Sequence, residues 1–240
     1  MIYILILLLV LVIAFSYKYA WWKPALDWKR PRVLMYHMVR AHIDGAKFNK
    51  LRVEPKEFEK QVAWMKAEGF HFVTMQELQN NWGKHPEKTV AITFDDGYLD
   101  NLENAYPILE KYQAKATIYV VVDRHDRDWS TYKKAHHNNG ELAREAKLND
   151  KQVQFLANSS LVEIGSHTMT HANLNKLDDV ECLTELTQSK QQLENLTAKS
   201  VTSFAYPFGI YSQRDVTLAK QAGYSNAVTT EEGIDDLEPD

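Results

Sequence analysis

The chain has almost no cysteine. Cys182 is the only one in 240 residues, which excludes an intrachain disulfide and any cysteine-rich zinc site. Gly-x-Ser-x-Gly is absent as well, so nothing supports a serine hydrolase built on that elbow. Nor is there an excess of base. The formal net charge is -4, and six of the 32 acids (Glu231, Glu232, Asp235, Asp236, Glu238, Asp240) crowd the last ten residues, leaving 26 acids against 28 bases elsewhere. That balance makes no case for nucleic acid as a partner, and the terminal acids read as a solvated tail. Cys182 lies beside an apolar helical stripe and reads as a quiet thiol rather than a nucleophile. The remainder, 45% hydrophobic and 25% charged, is a globular composition able to bury a core as one large domain.

The last absence is of charge at the start. Residues 1–15 carry no charged side chain, and the apolar character continues through Tyr17, Tyr19, Ala20, Trp21 and Trp22 with only Lys18 interrupting. About 20 such residues cross a bilayer of about 30 Å. Trp21 and Trp22 would sit in the aromatic belt while Lys18 snorkels. A cleaved signal peptide is the alternative, but there is no basic n-region and no small-x-small site before Trp21. The expected organisation is a membrane anchor over 1–22, a polar linker over 23–31, one domain over 32–230 and an acidic tail over 231–240. Lys18, Lys23, Lys29, Arg30 and Arg32 follow the span, and the positive-inside rule alone would place the domain in the cytoplasm.

Within the domain, strand-like runs over 32–36, 70–74, 89–94, 115–122, 161–165, 201–206 and 224–229 alternate with helical patterns. One helix begins at Pro55 with Phe58, Val62 and Met65 on its apolar side; others are expected over 99–113, where Pro107 weakens the middle, and over 178–198. The run 115–122 is apolar almost throughout, as a parallel strand covered on both faces should be. Residues 40–52 and 123–140 read as loops, and His125, His136 and His137 in the second as exposed loop histidines.

The centre of the pattern is residues 89–98, TVAITFDDGY. An alternating apolar run delivers Asp95 and Asp96 onto a turn at Gly97. Neighbouring residues in extended chain point opposite ways, so one acid can hold a metal while the other takes a proton. His37, the Asp pair, His167, His171 and the segment 206–209 each follow directly on a strand, and in a barrel of parallel strands all converge on the C-terminal face. Two histidines four apart present both rings on one side if the segment makes a helical turn. With a strand-end carboxylate they supply two nitrogens and one oxygen, a zinc-ligand set that leaves a position open for water.

TFDDGY, SHTMTH and FAYPFG together resemble the polysaccharide deacetylases of the NodB-homology group, carbohydrate esterase family four, over most of residues 32–230. The early MYH resembles the permuted branch that deacetylates poly-N-acetylglucosamine. The resemblance implies an α/β fold, a distorted (β/α) barrel with an incomplete ring of parallel strands, and metal-dependent removal of acetyl groups from a glycan. It assigns Asp95 as catalytic base, His37 as general acid, and Asp96, His167 and His171 as ligands of a divalent metal, expected to be Zn. It places the oxyanion against the Phe208 N–H; Tyr206, Phe208 and Trp129 are candidates to stack on sugar rings. One departure stands out: where the family commonly has an arginine bracing the catalytic Asp, this chain has Ala205. The alternatives are a polysaccharide O-acetyl esterase and an inactive membrane-tethered glycan-binding module. Exported glycans lie outside the cytoplasmic membrane, so the substrate argues against the charge pattern and for an extracytoplasmic domain.

Overall fold

The computed structural model describes residues 2–19, 27–125 and 140–233. Its first element is an apolar helix, α1 (Ile2–Tyr19), with Lys18 in the last turn. At 1.5 Å per residue its 18 residues reach about 27 Å. Among the described residues no helix is long and apolar enough to cross a membrane, so the expected span over 1–22 finds no support there, and Ala20, Trp21 and Trp22 lie outside those residues.

The domain begins with β1 (Arg32–Tyr36), and β2 (Met38–Val39) pairs in parallel with β3 (Arg52–Val53). Next come α2 (Pro55–Ala67), β4 (His71–Val73), α3 (Met75–Asn80) and β5 (Thr89–Phe94). A π-helical stretch over Asn101–Ala105 leads into α4 (Tyr106–Tyr112) and β6 (Ala116–Val120). The chain ends with α5 (Glu141–Arg144), α6 (Asp150–Asn158), β7 (Val162–Ser166), α7 (Asp179–Thr197), β8 (Ser203–Ala205), α8 (Gln213–Gln221) and β9 (Asn226–Val228). All pairings between these strands are parallel, in the order β1-β5-β6-β7-β8-β9, with β4 also on β5. β1 and β9 end this path, and the sheet curls into the incomplete barrel expected from the motifs.

Helix starts follow local chemistry. Thr74, Asn149, Asp178 and Ser212 each cap the next helix while the third residue on, Glu77, Gln152, Glu181 or Asp215, reaches back to the cap N–H. Pro107 splits the helix expected over 99–113: it has no N–H to give to the preceding turn and sits at the start of α4, after the π stretch. The two faces of the sheet differ. Ile92 and Phe94 of β5, Ile118 and Val120 of β6, Ile164 of β7 and Phe204 of β8 pack in the main core with Phe58, Val62, Leu156 and Leu186. The inner face holds Ala91, Tyr119 and Ala205 and a polar network in which Glu163 accepts from Thr117 (2.8 Å), Gln76 N–H (2.9 Å) and Ser203.

Candidate metal and catalytic centre

Two ladders run one residue past their strands and set the site. Asp95 N–H donates to Tyr36 O (3.0 Å), and His167 N–H to Val120 O (3.0 Å). His37, next after β1, thereby lies beside Asp95, its Nε2 3.9 Å from Asp95 Oδ2, and its own carbonyl accepts from Asn101 Nδ2 (2.8 Å). Asp96 turns away from the strand with φ 74° and brings Oδ1 to 3.5 Å from His167 Nε2 and 3.4 Å from His171 Nε2. The three ligand atoms lie within 4.8 Å of one another and all three residues are buried.

The donor chemistry fits a divalent metal. A carbonyl can only accept, so the 2.8 Å contact of His167 Nδ1 with Ala205 O puts the proton on Nδ1 and leaves the Nε2 lone pair facing Asp96. Asp96 Oδ1 is buried with no hydrogen bond from the described residues, which a cation would satisfy. Separations of 3.4 and 3.5 Å match the edge of about 3.3 Å of a tetrahedron with 2.0–2.1 Å metal–nitrogen distances. The two carboxyls are also driven apart. Burial is the largest influence on both and raises them; for Asp95 it prevails over the attraction of His37 and His167 and the pKa stays raised, whereas for Asp96 the cationic forms of His171, His37 and His167 outweigh it and the pKa is lowered.

The segment carrying the two histidines is not the helical turn that their spacing suggested. Thr168 (φ 67°) and His171 (φ 58°) are both left-handed, and the loop is held by Glu185 of α7, which accepts from Thr170 N–H (3.0 Å) and Oγ1 (2.8 Å). The rings still meet: His167 and His171 have centroids 4.8 Å apart, and Phe208 stands edge-on to His171 at 4.5 Å. Phe208 is itself left-handed (φ 63°, ψ 3°) at the site's mouth. Tyr206, expected to offer a ring to sugar, is instead in the core, 4% exposed, against Phe204 and stacked on Tyr211 at 5.1 Å. Trp129, His136 and His137 lie outside the described residues, and His125 is exposed. Cys182 is buried, with burial first among the causes that push its thiol up to about 11, which makes it no nucleophile.

Two further features bear on the site, the first signalled in the sequence by Ala205 and the second by nothing. Asp95 Oδ1 is buried with no hydrogen bond from the described residues, and in place of a bracing guanidinium the inner face has Ala205 and the Tyr119 ring. The other is a buried ion network: Arg52, 2% exposed, donates to Glu141 (2.9 Å) and Glu145 (2.6 Å), Arg40 also reaches Glu145, and Glu141 accepts from the N–H groups of Lys47 and Phe48. It ties residues 40–53 to α5.

Fold and site together define a hydrolase class: a parallel half-barrel with a two-histidine, one-carboxylate metal triad and a neighbouring acid at the strand ends. Comparison with known proteins agrees. The family model described as polysaccharide deacetylase matches residues 83–227. The chain is 35% identical over 217 residues to the putative polysaccharide deacetylase YxkH of Bacillus subtilis, covering 89% of this chain and 69% of that protein. It is 27% identical over 190 residues to poly-beta-1,6-N-acetyl-D-glucosamine N-deacetylase of Staphylococcus aureus, covering 75% of this chain and spanning only 61% of that enzyme. The structure of the deacetylase PplD of Streptococcus pyogenes in complex with acetate superposes with a TM-score of 0.71 at 29% identity, over 85% of each chain. The chain belongs to the polysaccharide deacetylase family.

Proposed function

We propose that this protein removes acetyl groups from N-acetylglucosamine units of an exported polysaccharide and releases acetate, with zinc held by Asp96, His167 and His171. The observation that carries the reading is the placement of Asp95 and His37, 3.9 Å apart, beside that triad. When bound, the metal polarises the acetyl carbonyl and lowers the pKa of a water from 15.7 to about 7. Asp95, whose burial favours the protonated form, takes the proton of the attacking water as the oxygen adds to the carbonyl carbon. The Phe208 N–H donates to the tetrahedral oxyanion, a kind of contact whose loss typically costs about 3 kcal/mol. His37 gives a proton to the sugar nitrogen as the C–N bond breaks, since an amine leaves poorly as its anion. One water and one amide become acetate and amine.

The test is acetate release from a poly-N-acetylglucosamine oligomer with and without chelator. Chelator should abolish release, and Asp95→Asn should keep the metal while lowering turnover by about 10²–10⁴-fold. Chelator-insensitive release would overturn the metal's part. Faster release from an O-acetylated oligomer would make the protein an esterase, and binding without release a glycan-binding module.

The reading extends to location. The side chains of α1 from Ile2 to Phe15 are large, apolar and mostly exposed, and a helix apolar all round is covered by protein or lipid. We place it at a membrane with the domain on the outer side, where exported glycans are found. Protease digestion of the domain in intact spheroplasts is the expected result; protection until lysis would refute it.

A further inference from the structure

His37 stands between two sheets. β1 ends at Tyr36 in the curled sheet and β2 starts at Met38 in the two-stranded one, so the backbone changes partners on either side of the residue that carries the imidazole. The ring is not held by its own contact with Asp95, whose Oδ2 at 3.9 Å is beyond hydrogen-bond length. What fixes it is the backbone of 37–39, which three side chains of one turn clamp. Asn101 Nδ2 donates to His37 O (2.8 Å), Asp100 Oδ1 accepts from Val39 N–H (3.0 Å), and Asn104 Nδ2 donates to Val39 O (2.8 Å). Asn101 Nδ2 also donates to Asp100 Oδ1 (3.2 Å), which links two of these contacts. A carbonyl only accepts, so the contacts themselves settle which end of each amide faces the backbone. Asn101 and Val39 are fully buried, and backbone groups buried there have no water to turn to if a partner is lost.

We infer that Asn101, supported by Asp100 and Asn104, is the positioning residue for His37: the clamp sets the imidazole where it hands its proton to the departing sugar nitrogen, and it serves that step alone. Asp100 directly precedes the π-helical stretch that holds Asn101 and Asn104, and such turns occur frequently at functional sites. It follows the Asp pair within a few residues, so the single stretch 95–104 registers both the acid that takes a proton and the histidine that gives one. Proton transfer needs the two heavy atoms about 2.6–3.2 Å apart, and a misplacement of about 1 Å costs up to about 10²-fold. The metal triad is placed by other means: the left-handed turn at Asp96, the ladder and Ala205 O at His167, and the Glu185-held loop at His171. Loosening the clamp should therefore spare the metal and discriminate by leaving group.

The inference rests on the reading of His37 as general acid, and the experiment separates the two. The zinc-loaded full chain is given a poly-N-acetylglucosamine oligomer, whose amine must be protonated to leave, and 4-nitrophenyl acetate, whose phenolate leaves as the anion. Asn101→Ala should lower kcat on the oligomer about 10- to 100-fold with KM nearly unchanged, and keep ester hydrolysis within about threefold of the wild type. Zinc affinity, read by competition with a fluorescent chelator, should stay within about twofold, because no ligand of the triad is touched. Asn104→Ala, which leaves His37 O its partner, should show the same pattern at about 3- to 10-fold. In a His37→Ala background, Asn101→Ala should add almost nothing on the oligomer, because its route to the reaction is already cut. Equal losses on oligomer and ester would overturn the inference, as would fully additive losses in the double variant. Wild-type turnover of the oligomer by His37→Ala would instead sink His37 as the acid. If Asn101→Ala fails to fold by circular dichroism, Asn104→Ala, alone and combined with His37→Ala, decides on the same two criteria; if the wild type leaves the ester uncleaved, the double variant on the oligomer decides alone.

Discussion

Replacing Arg52 with methionine should destabilise the domain by about 3–5 kcal/mol, the loss typical when one partner is taken from a buried ion pair. The figure follows from the surroundings. The Arg52 side chain is completely buried, those of Glu141 and Glu145 are 10% and 8% exposed, and the guanidinium donates to both. Methionine fills most of the space but leaves Glu141 without its cation and Glu145 with Arg40 alone. With a urea dependence of about 2 kcal/mol per molar for a domain this size, the midpoint should fall by roughly 2 M. Circular dichroism in urea reads it directly. Glu141→Gln in the Arg52→Met background should then return part of the loss, because it removes the stranded charge, and a double-mutant cycle gives the coupling. A midpoint shift under about 0.5 M, corresponding to about 1 kcal/mol, would refute the picture of Arg52 as the clasp between β3 and α5. Activity should fall in parallel, since β2, which follows His37 directly, is paired to β3.

Two further outcomes test the structure. A Cβ on Gly165 would lie 2.5 Å from the Tyr119 ring and 3.1 Å from Ser203 O, so Gly165→Ala should cost about 1–3 kcal/mol by overpacking; a thermal melt unchanged within 1 °C would show that the inner face yields freely. Asp100 accepts from Val39 N–H (3.0 Å), and burial is first among the causes that raise its pKa from 3.8 to about 6. Because the fold favours the protonated form, the contribution is complete below pH 4 and is lost as pH rises through 6, about 3 kcal/mol in all; Asp100→Asn should flatten that part of the stability profile, and an unchanged slope would refute it.

The strands and the residues just beyond them were legible because the physics there is local. A strand covered on both faces must be apolar along its length, and TVAITF and KATIYVVV announce it; a reactive side chain at its end is then placed by counting. His37, Asp95, Asp96 and His167 lie directly past their strands as that counting has them, whereas His171 is brought in by a loop that counting does not give. What was not legible depends on distance or on backbone torsion. Arg52 meets Glu141 and Glu145 across 89 and 93 residues, and nothing near any of the three marks the pairing. The same holds for Glu185, one acid among several on a long helix, and for the left-handed turns at Thr168 and His171, which no glycine or asparagine signals. Tyr206 misled for a different reason: an aromatic residue next to a site looks the same in sequence whether it lines the opening or, as here, lies in the core behind it.

Four of the residues around the centre, Asp96, Thr168, His171 and Phe208, hold a backbone conformation that side chains with a Cβ resist, each at about 1–3 kcal/mol. For anyone seeking a more heat-resistant variant, these would be the most tempting positions to exchange for glycine. They are also the wrong ones: relaxing them would melt later and bind worse, because the tension is what carries two metal ligands and the edge of the opening into place. The durable gains lie elsewhere: Gln113 and Ala198 hold the same left-handed conformation at the ends of α4 and α7, where glycine would relax the backbone without moving a ligand.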